Sequence, residues 1–216
     1  MIKVLNLYAC LGGNRLLWEN CEVTAVELDP ELARMYQERF PNDTVIVADA
    51  HQYLLDHYKE FDFIWSSPPC PSHSRARFWN SSNYDTTTEP IYPDLKLYEE
   101  IYFLKHYFKG KYCVENVIPY YEPLTPAQKR GRHLYWCNYP IPSQISKRDN
   151  SGMIEGGTLK ELCDFHKYDF KKYKGSQRIL KIARNLVDYE AGKTIFNTAF
   201  NIIESNKTNQ LDLFTQ

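Results

Sequence analysis

The chain has no run approaching the ~18 consecutive apolar residues of a membrane span, no internal repeat and no CxxC pair among its six cysteines. The first absence argues against a helical membrane protein, so no membrane partner is expected. The third, with Cys10, Cys21, Cys70, Cys113, Cys137 and Cys163 spread widely, argues against both a zinc site and a disulfide framework. No metal is expected, and each thiol is judged alone. The six histidines are also scattered, and solvated or satisfied core positions account for them. The start, MIKVLNLYACLGG, lacks a charged leader followed by a long apolar region, from which a cytoplasmic protein is expected. What is present, 216 residues with 43% hydrophobic content, suffices for one compact domain with a sizeable core and a small annex.

A net charge of −1 conceals a strong polarity. Residues 1–128 hold 11 lysines and arginines against 18 acids, whereas residues 129–193 hold 14 against 7. A solvated helix face is the plain reading of HKYDFKKYKGSQRILKIAR (166–184). Tyrosines and a phenylalanine interleave with its lysines, however, as a surface that meets phosphates and stacks on bases requires. Lys171, Lys172 and Lys174 are therefore candidate nucleic-acid contacts.

Short β-rich runs alternate with helical patterns: KVLNLY (3–8), VTAVEL (23–28), TVIVAD (44–49), FDFIWS (61–66) and YCVENV (112–117), with PELARMYQERF (30–40) helical between two of them. That rhythm predicts an α/β fold, a mostly parallel sheet with helices on both faces. After HLYWCNY (133–139) the alternation stops, and a stretch rich in Pro, Gly and Lys runs to about residue 176. From Gln177, apolar residues at helical spacing (Ile179, Ile182, Ala183, Leu186, then Ile195, Phe196, Ala199, Phe200) predict a return to the core.

Open α/β sheets bind ligands beyond the carboxyl ends of their strands. The first strand ends in LYACLGGN, where Gly12 and Gly13 permit close backbone approach. The second ends in Glu27, suited to a ribose diol, and the third in Asp49, suited to an adenine amino group. The fourth delivers Cys70 within IWSSPPCPSHSRAR (64–77), where Pro68, Pro69 and Pro71 would fix the direction of a nucleophilic thiol. A small buried cysteine in a Pro-rich turn is the plainer reading of PPC alone. The fifth strand changes the balance, because its VENV would bring Glu115 beside the thiol. AQKRGRHLYW then spaces Gln128, Arg130 and Arg132 alternately, so that they can share one face.

In order, YACLGG, VELDPELARMYQERFPN, ADA, PPCPSHS, ENV and QKRGR resemble the motifs of the DNA cytosine-5 methyltransferases, and the resemblance covers residues 4–139 almost completely. RNLVDYEAGKTIFNTAF (184–200) resembles the family's closing motifs more loosely. The resemblance implies a Rossmann-like, S-adenosylmethionine-dependent fold with S-adenosylhomocysteine as product. It divides the chain into a catalytic core (1–139), a target-recognition segment (140–176) much shorter than the family's, helices returning to the core (177–204) and a tail (205–216).

It also implies roles. Glu27 with Leu28 would bind the donor's ribose and Asp49 with Ala50 its adenine, while Tyr8, Ala9, Cys10, Gly12, Gly13 and Pro68 would line the rest of its pocket. Cys10 stands where the family usually has glycine. Cys70 would add to carbon 6 of a cytosine flipped out of double-stranded DNA, Glu115 would hold the ring's nitrogen 3 and amino group, and Arg130 or Arg132 its oxygen. Ser72, Ser74, Arg75, Arg77 and Asn116 would contact the DNA, the loop SHSRARFWN (72–80) closing over the base. The short recognition segment implies a short target sequence or help from a partner.

QLDLF (210–214) resembles the pentapeptide by which bacterial replication and repair proteins dock on the sliding clamp. Gln210, Leu211, Leu213 and Phe214 would enter the clamp, with the polar run before them as tether. Other readings stay open: a methylase of exocyclic amino groups, which SSPPC also resembles; a cytosine-5 methylase of RNA; or an idle, clamp-bound DNA-binding module.

Overall fold

The run IKVLNL forms β1 (Ile2–Leu7), whose last four residues are buried, as a strand covered on both faces must be. β1 pairs in parallel with β2 (Cys21–Glu27) on one side and β4 (Phe63–Ser66) on the other. β3 (Thr44–Val47) joins β2, and β5 (Lys111–Val117) joins β4, both in parallel. The last two strands, β6 (Gln128–Arg130) and β7 (His133–Cys137), form a hairpin, with β7 antiparallel to β5, so that the sheet order is β3-β2-β1-β4-β5-β7-β6. This mostly parallel, Rossmann-like sheet is the fold class expected from the alternation of elements. The computed structural model describes residues 1–75, 92–148 and 157–203.

The helices start where the sequence supplies caps. Asp29 accepts the amides of Glu31 and Leu32 to open α1 (Pro30–Arg39), with Pro30 at the position that needs no donor. Asp49 accepts the Gln52 amide to open α2 (Ala50–His57). These caps end the neighbouring strands early, so β3 stops at Val47 rather than at Asp49.

The twofold period of the strands sorts side chains onto two faces. Leu5, Leu7, Ile64 and Val114 pack with Leu54 of α2 and with Leu97, Ile101 and Leu104 of α3 (Lys96–Tyr107). Their neighbours Val4, Phe63, Trp65 and Cys113 face the opposite way, onto Trp18 and onto Ile195, Phe196 and Ala199 of α6 (Tyr189–Ala199). Trp18 stacks on Phe196 with centroids 5.2 Å apart and donates to the Gly192 carbonyl at 3.0 Å. Each such large side chain contributes roughly 1.5–3 kcal/mol of burial, which holds the C-terminal helix on the sheet.

Between them, α4 (Leu159–His166) opens on a reciprocal Thr158–Glu161 capping box and α5 (Ile179–Asn185) follows. Leu162, Phe170, Tyr173, Ile182, Ala183 and Leu186 bury a third cluster against Leu11, Leu32 and Met35. The described part of the annex therefore packs on α1. Phe170 and Tyr173 are core residues, and Tyr168 lies half-buried with the Arg39 guanidinium 4.7 Å from its ring centroid. Packing thus consumes the faces of Phe170 and Tyr173, two of the interleaved aromatics expected to stack on bases, and leaves Lys171, Lys172 and Lys174 exposed.

Candidate active site

β1 lies between β2 and β4, and the chain leaves the carboxyl ends of these strands in opposite directions, which opens a crevice there. It holds a cavity of about 620 Å³. One wall is the turn after β1, in which Tyr8 and Cys10 adopt left-handed backbone conformations (φ 55° and 47°). Glu27 braces that turn: its carboxylate accepts the Cys10 amide at 2.7 Å and the Asp29 amide at 2.9 Å. A carboxylate has about four acceptor directions, so capacity remains toward the cavity. Burial pushes Glu27 above the usual carboxylate range against the pull of those amides. Burial, then the charge of Glu27, pushes the Cys10 thiol up to about 12, which keeps it protonated at neutral pH.

Tyr8, Ala9, Cys10 and Gly13 line the cavity with Glu27, Leu28, Asp49, Ala50 and Pro68. Gly12, expected among them, is outside the wall. Its φ is +64°, and a Cβ there would stand 2.5 Å from the Phe40 ring and 2.7 Å from Tyr36, so the residue serves the packing of α1. Gly13 is needed for close approach, since a Cβ would lie 2.2 Å from the Val187 carbonyl. Asp49 keeps its carboxylate half-exposed at the rim, held below the usual range chiefly by the Gln52 amide.

Cys70 lies on the facing wall. Its own carbonyl accepts the amides of His73 and Ser74, both at 3.0 Å, closing a tight turn behind the sulfur. Ahead of it, the Trp65 ring nitrogen donates to the Ser67 hydroxyl at 2.8 Å, and the buried Asn116 amide donates to the Pro68 carbonyl at 2.9 Å. Asn116, expected as a DNA contact, spends this donor on the Cys70 loop, although it also borders the cavity. Burial and then the Glu115 charge raise the Cys70 thiol, while Lys181 and Arg132 pull it down.

Glu115, buried at the end of β5, is pushed up by burial to about 7; a hydrogen bond with Ser67 and the charge of Arg132 oppose that rise. Its Oε1 lies 3.4 Å from His133 Nε2. Burial and Arg132 drive His133 down to about 3, so this contact joins a carboxyl to a neutral imidazole. At neutral pH the site thus presents a thiol, a carboxyl near half-protonation and a guanidinium.

Several expected positions lie elsewhere. Arg132 is in the cavity wall, but Arg130 is not: its guanidinium donates to the carbonyls of Ile141 and Pro142. Gln128 bonds Tyr139 and Ile141 on that same side. The shared face expected for all three ends at the hairpin turn, where Gly131 (φ 56°) turns Arg132 off the strand. Ser72 accepts the Asp94 amide at 3.0 Å, Ser74 bridges to Pro119 and Arg75 donates to the Pro119 carbonyl at 2.9 Å. These three anchor the loop's exit outside the wall. Lys171, Lys172 and Lys174 are exposed away from the cavity. Arg77, most of the 72–80 loop and Gln210, Leu211, Leu213 and Phe214 lie outside the described residues.

Asn14, His73, His133, Gln177, Lys181 and Arg184 also border the cavity, and sequence reasoning missed them. The helical spacing after Gln177 announced a return to the core, but nothing in it showed that the start of α5 roofs the site.

Residues 2–92 match the family model described as C-5 cytosine-specific DNA methylase. No curated protein sequence matches the chain. Among solved structures, an Entamoeba histolytica methyltransferase, EhMeth, is similar at 8% identity and a TM-score of 0.50, with 95% of this chain and 99% of that one covered. A mutant of Spodoptera frugiperda DNMT2 is similar at 24% identity and a TM-score of 0.37, covering 54% of this chain and 36% of that one. The Escherichia coli putative methyltransferase yhhF is similar at 15% identity and a TM-score of 0.41, covering 63% and 74%. At 8% identity the likeness to EhMeth concerns the fold. The family match runs from β1 through the Cys70 loop, so the stretch of the chain similar to the C-5 cytosine-specific DNA methylases is the one that carries the turn after β1, Glu27, Asp49 and Cys70.

Proposed function

We propose that the chain methylates carbon 5 of a cytosine flipped out of double-stranded DNA, with S-adenosylmethionine as donor and Cys70 as covalent nucleophile. One observation carries the reading: Cys70, Glu115 and Arg132 share a single cavity with Glu27, Asp49 and the turn after β1. The donor set fits the proposed cofactor. Glu27 retains acceptor capacity for a diol, Leu28, Ala50 and Leu97 offer apolar surface for a planar base, and the acids Glu27, Asp29 and Asp49 suit a cation. When bound, the donor supplies an electrophilic methyl group.

The chain's own groups do the remainder. The Cys70 thiol loses its proton to solvent, aided by the positive charges of Lys181 and Arg132, and the sulfur forms a bond to carbon 6. Glu115 in its protonated form delivers a proton to nitrogen 3 as the ring accepts the electron pair, leaving carbon 5 nucleophilic. Arg132 orients the ring's oxygen and keeps Glu115 near half-protonation. Once carbon 5 is methylated, its proton passes to solvent water, the bond from Cys70 to carbon 6 breaks with the electron pair returning to sulfur, and the proton on nitrogen 3 returns to Glu115. Lys181 and Arg184 at the cavity would meet the DNA backbone. The tail 210–214 is proposed to dock on a bacterial sliding clamp, raising local concentration on DNA.

Nucleoside mass spectrometry on DNA treated with the protein and S-adenosylmethionine tests the reaction, beside Cys70→Ser. 5-Methylcytosine that disappears with Cys70→Ser is expected. N4-methylcytosine that survives the substitution overturns the mechanism, and product on RNA alone overturns the substrate.

A further inference from the structure

Beneath the cavity, α3 carries a carboxylate that belongs to none of the motifs above. Glu100 is fully buried, and three side chains from three elements converge on it. Tyr8, just past β1, donates its hydroxyl to Oε1 at 2.6 Å; Ser66, the last residue of β4, donates to Oε2 at 2.6 Å; and His51, in the first turn of α2, brings Nδ1 within 3.1 Å of Oε1. Two hydroxyl contacts at 2.6 Å are of the length that charge-assisted O–H···O⁻ bonds adopt. The two oxygens of this one carboxyl group thus take contacts from three elements at once. Glu99 flanks the same imidazole, 3.6 Å from Nε2.

We propose that Glu100 is a positioning residue for methyl transfer, clamping the carboxyl ends of β1 and β4 and the start of α2 so that the donor pocket and the Cys70 loop keep a fixed separation. The placement favours this over a merely buried acid. Leu7 pairs with Ser66 across the switch point, so the carboxylate grips both strands one residue from where each turns into the site. Tyr8 begins the turn braced by Glu27, and Ser66 precedes the Ser67–Cys70 loop. His51 follows Asp49 by two residues, which links the rim acid to the same clamp. Hydrogen bonds held inside a low-dielectric core keep such a constellation rigid to fractions of an ångström, which the reaction requires.

The inference rests on the proposed methylation and is tested with S-adenosylmethionine, cytosine-containing DNA and S-adenosylhomocysteine as binding probe. Glu100→Gln, Tyr8→Phe and Ser66→Ala are compared with the wild type per folded molecule, with thermal unfolding measured alongside. Glu100→Gln turns an amide donor toward a hydroxyl or the imidazole, and is expected to lower kcat and weaken S-adenosylhomocysteine about tenfold each, as loss of alignment does. Tyr8→Phe should chiefly raise the donor KM and Ser66→Ala chiefly lower kcat. A merely structural acid predicts lower melting temperatures with kcat and KM unchanged per folded molecule, and that result overturns the proposal. If Glu100→Gln fails to fold, Tyr8→Phe and Ser66→Ala decide by the same criterion. Should the wild type methylate no DNA, the proposed reaction fails instead, and the affinity of the variants for S-adenosylhomocysteine still decides the question of Glu100.

Discussion

The side-chain amide of Asn116, at the end of β5, donates to the carbonyl of Pro68 at 2.9 Å, so the strand that carries Glu115 also holds the loop that carries Cys70. Acid and thiol are thereby tied by one contact between β5 and the loop that follows β4. Asn116→Ala leaves that carbonyl without its donor and costs about 1–3 kcal/mol. Turnover should fall about tenfold through misplacement of Cys70 two residues on. Denaturant unfolding and steady-state kinetics check both. A loss of stability with unchanged kcat per folded molecule would show that the prolines alone suffice.

In the proposed reaction, the pH dependence follows from two groups needed in opposite forms. Glu115 must carry a proton, and its pKa stands at about 7; Cys70 must lose one, and its thiol lies above the ordinary range. This reversed pairing predicts that kcat/KM rises with pH to about 7, stays level, and falls only in the thiol range. Glu115→Gln should remove the limb near 7 and lower turnover roughly 100- to 10,000-fold.

Stability should respond to the same carboxyl with a definite sign. The folded value of about 7 lies above the ordinary 4.5, so the native state binds the proton more tightly. The contribution is present in full below about 4.5 and is lost as pH rises through about 7. From that difference, Glu115→Gln should gain up to about 3 kcal/mol over the wild type at pH 8. The gain should vanish at pH 4, as thermal melts at the two pH values would read.

The two arginines of QKRGR should part company. Arg132→Ala removes a cavity-wall guanidinium and should cut kcat about 100-fold or more. Arg130→Ala removes an anchor on the Ile141 and Pro142 carbonyls, and should destabilise by about 1–2 kcal/mol while leaving kcat per folded molecule within about twofold. Equal losses of kcat would contradict the separation seen in the hairpin.

Cys10 occupies a left-handed conformation at φ 47°, where side chains other than glycine are strained by roughly 1–2 kcal/mol. Cys10→Gly should keep donor binding and change stability by less than about 1 kcal/mol, the relief of strain being offset by lost sulfur contacts and greater unfolded-chain freedom. Calorimetric titration with S-adenosylhomocysteine checks the binding, and a loss of more than about tenfold would show that the sulfur itself shapes the pocket.

Much of the architecture was legible because its signals are local. The short β-rich runs located β1 to β5 to within two residues at each end, whereas the capping roles of Asp29 and Asp49 appeared only in the structure. The Cys70 loop was legible because three prolines limit backbone freedom whatever surrounds them. Glu100 and His133 were not legible. A lone glutamate on an amphipathic helix and a histidine opening a strand carry no periodic signal, and each acquires its function only from partners that chain folding brings near.

The sequence by itself determined the parallel sheet, the order of its elements and the acids and thiol at the strand ends, since periodicity and turn chemistry act over a few residues. Only the tertiary structure decided that Gly12 packs on Phe40, that Arg130 turns from the site while Arg132 enters it, and that the aromatics of 166–184 fill a core. Those outcomes depend on which surfaces meet across the fold, and burial, not residue type, sets what each side chain can do there.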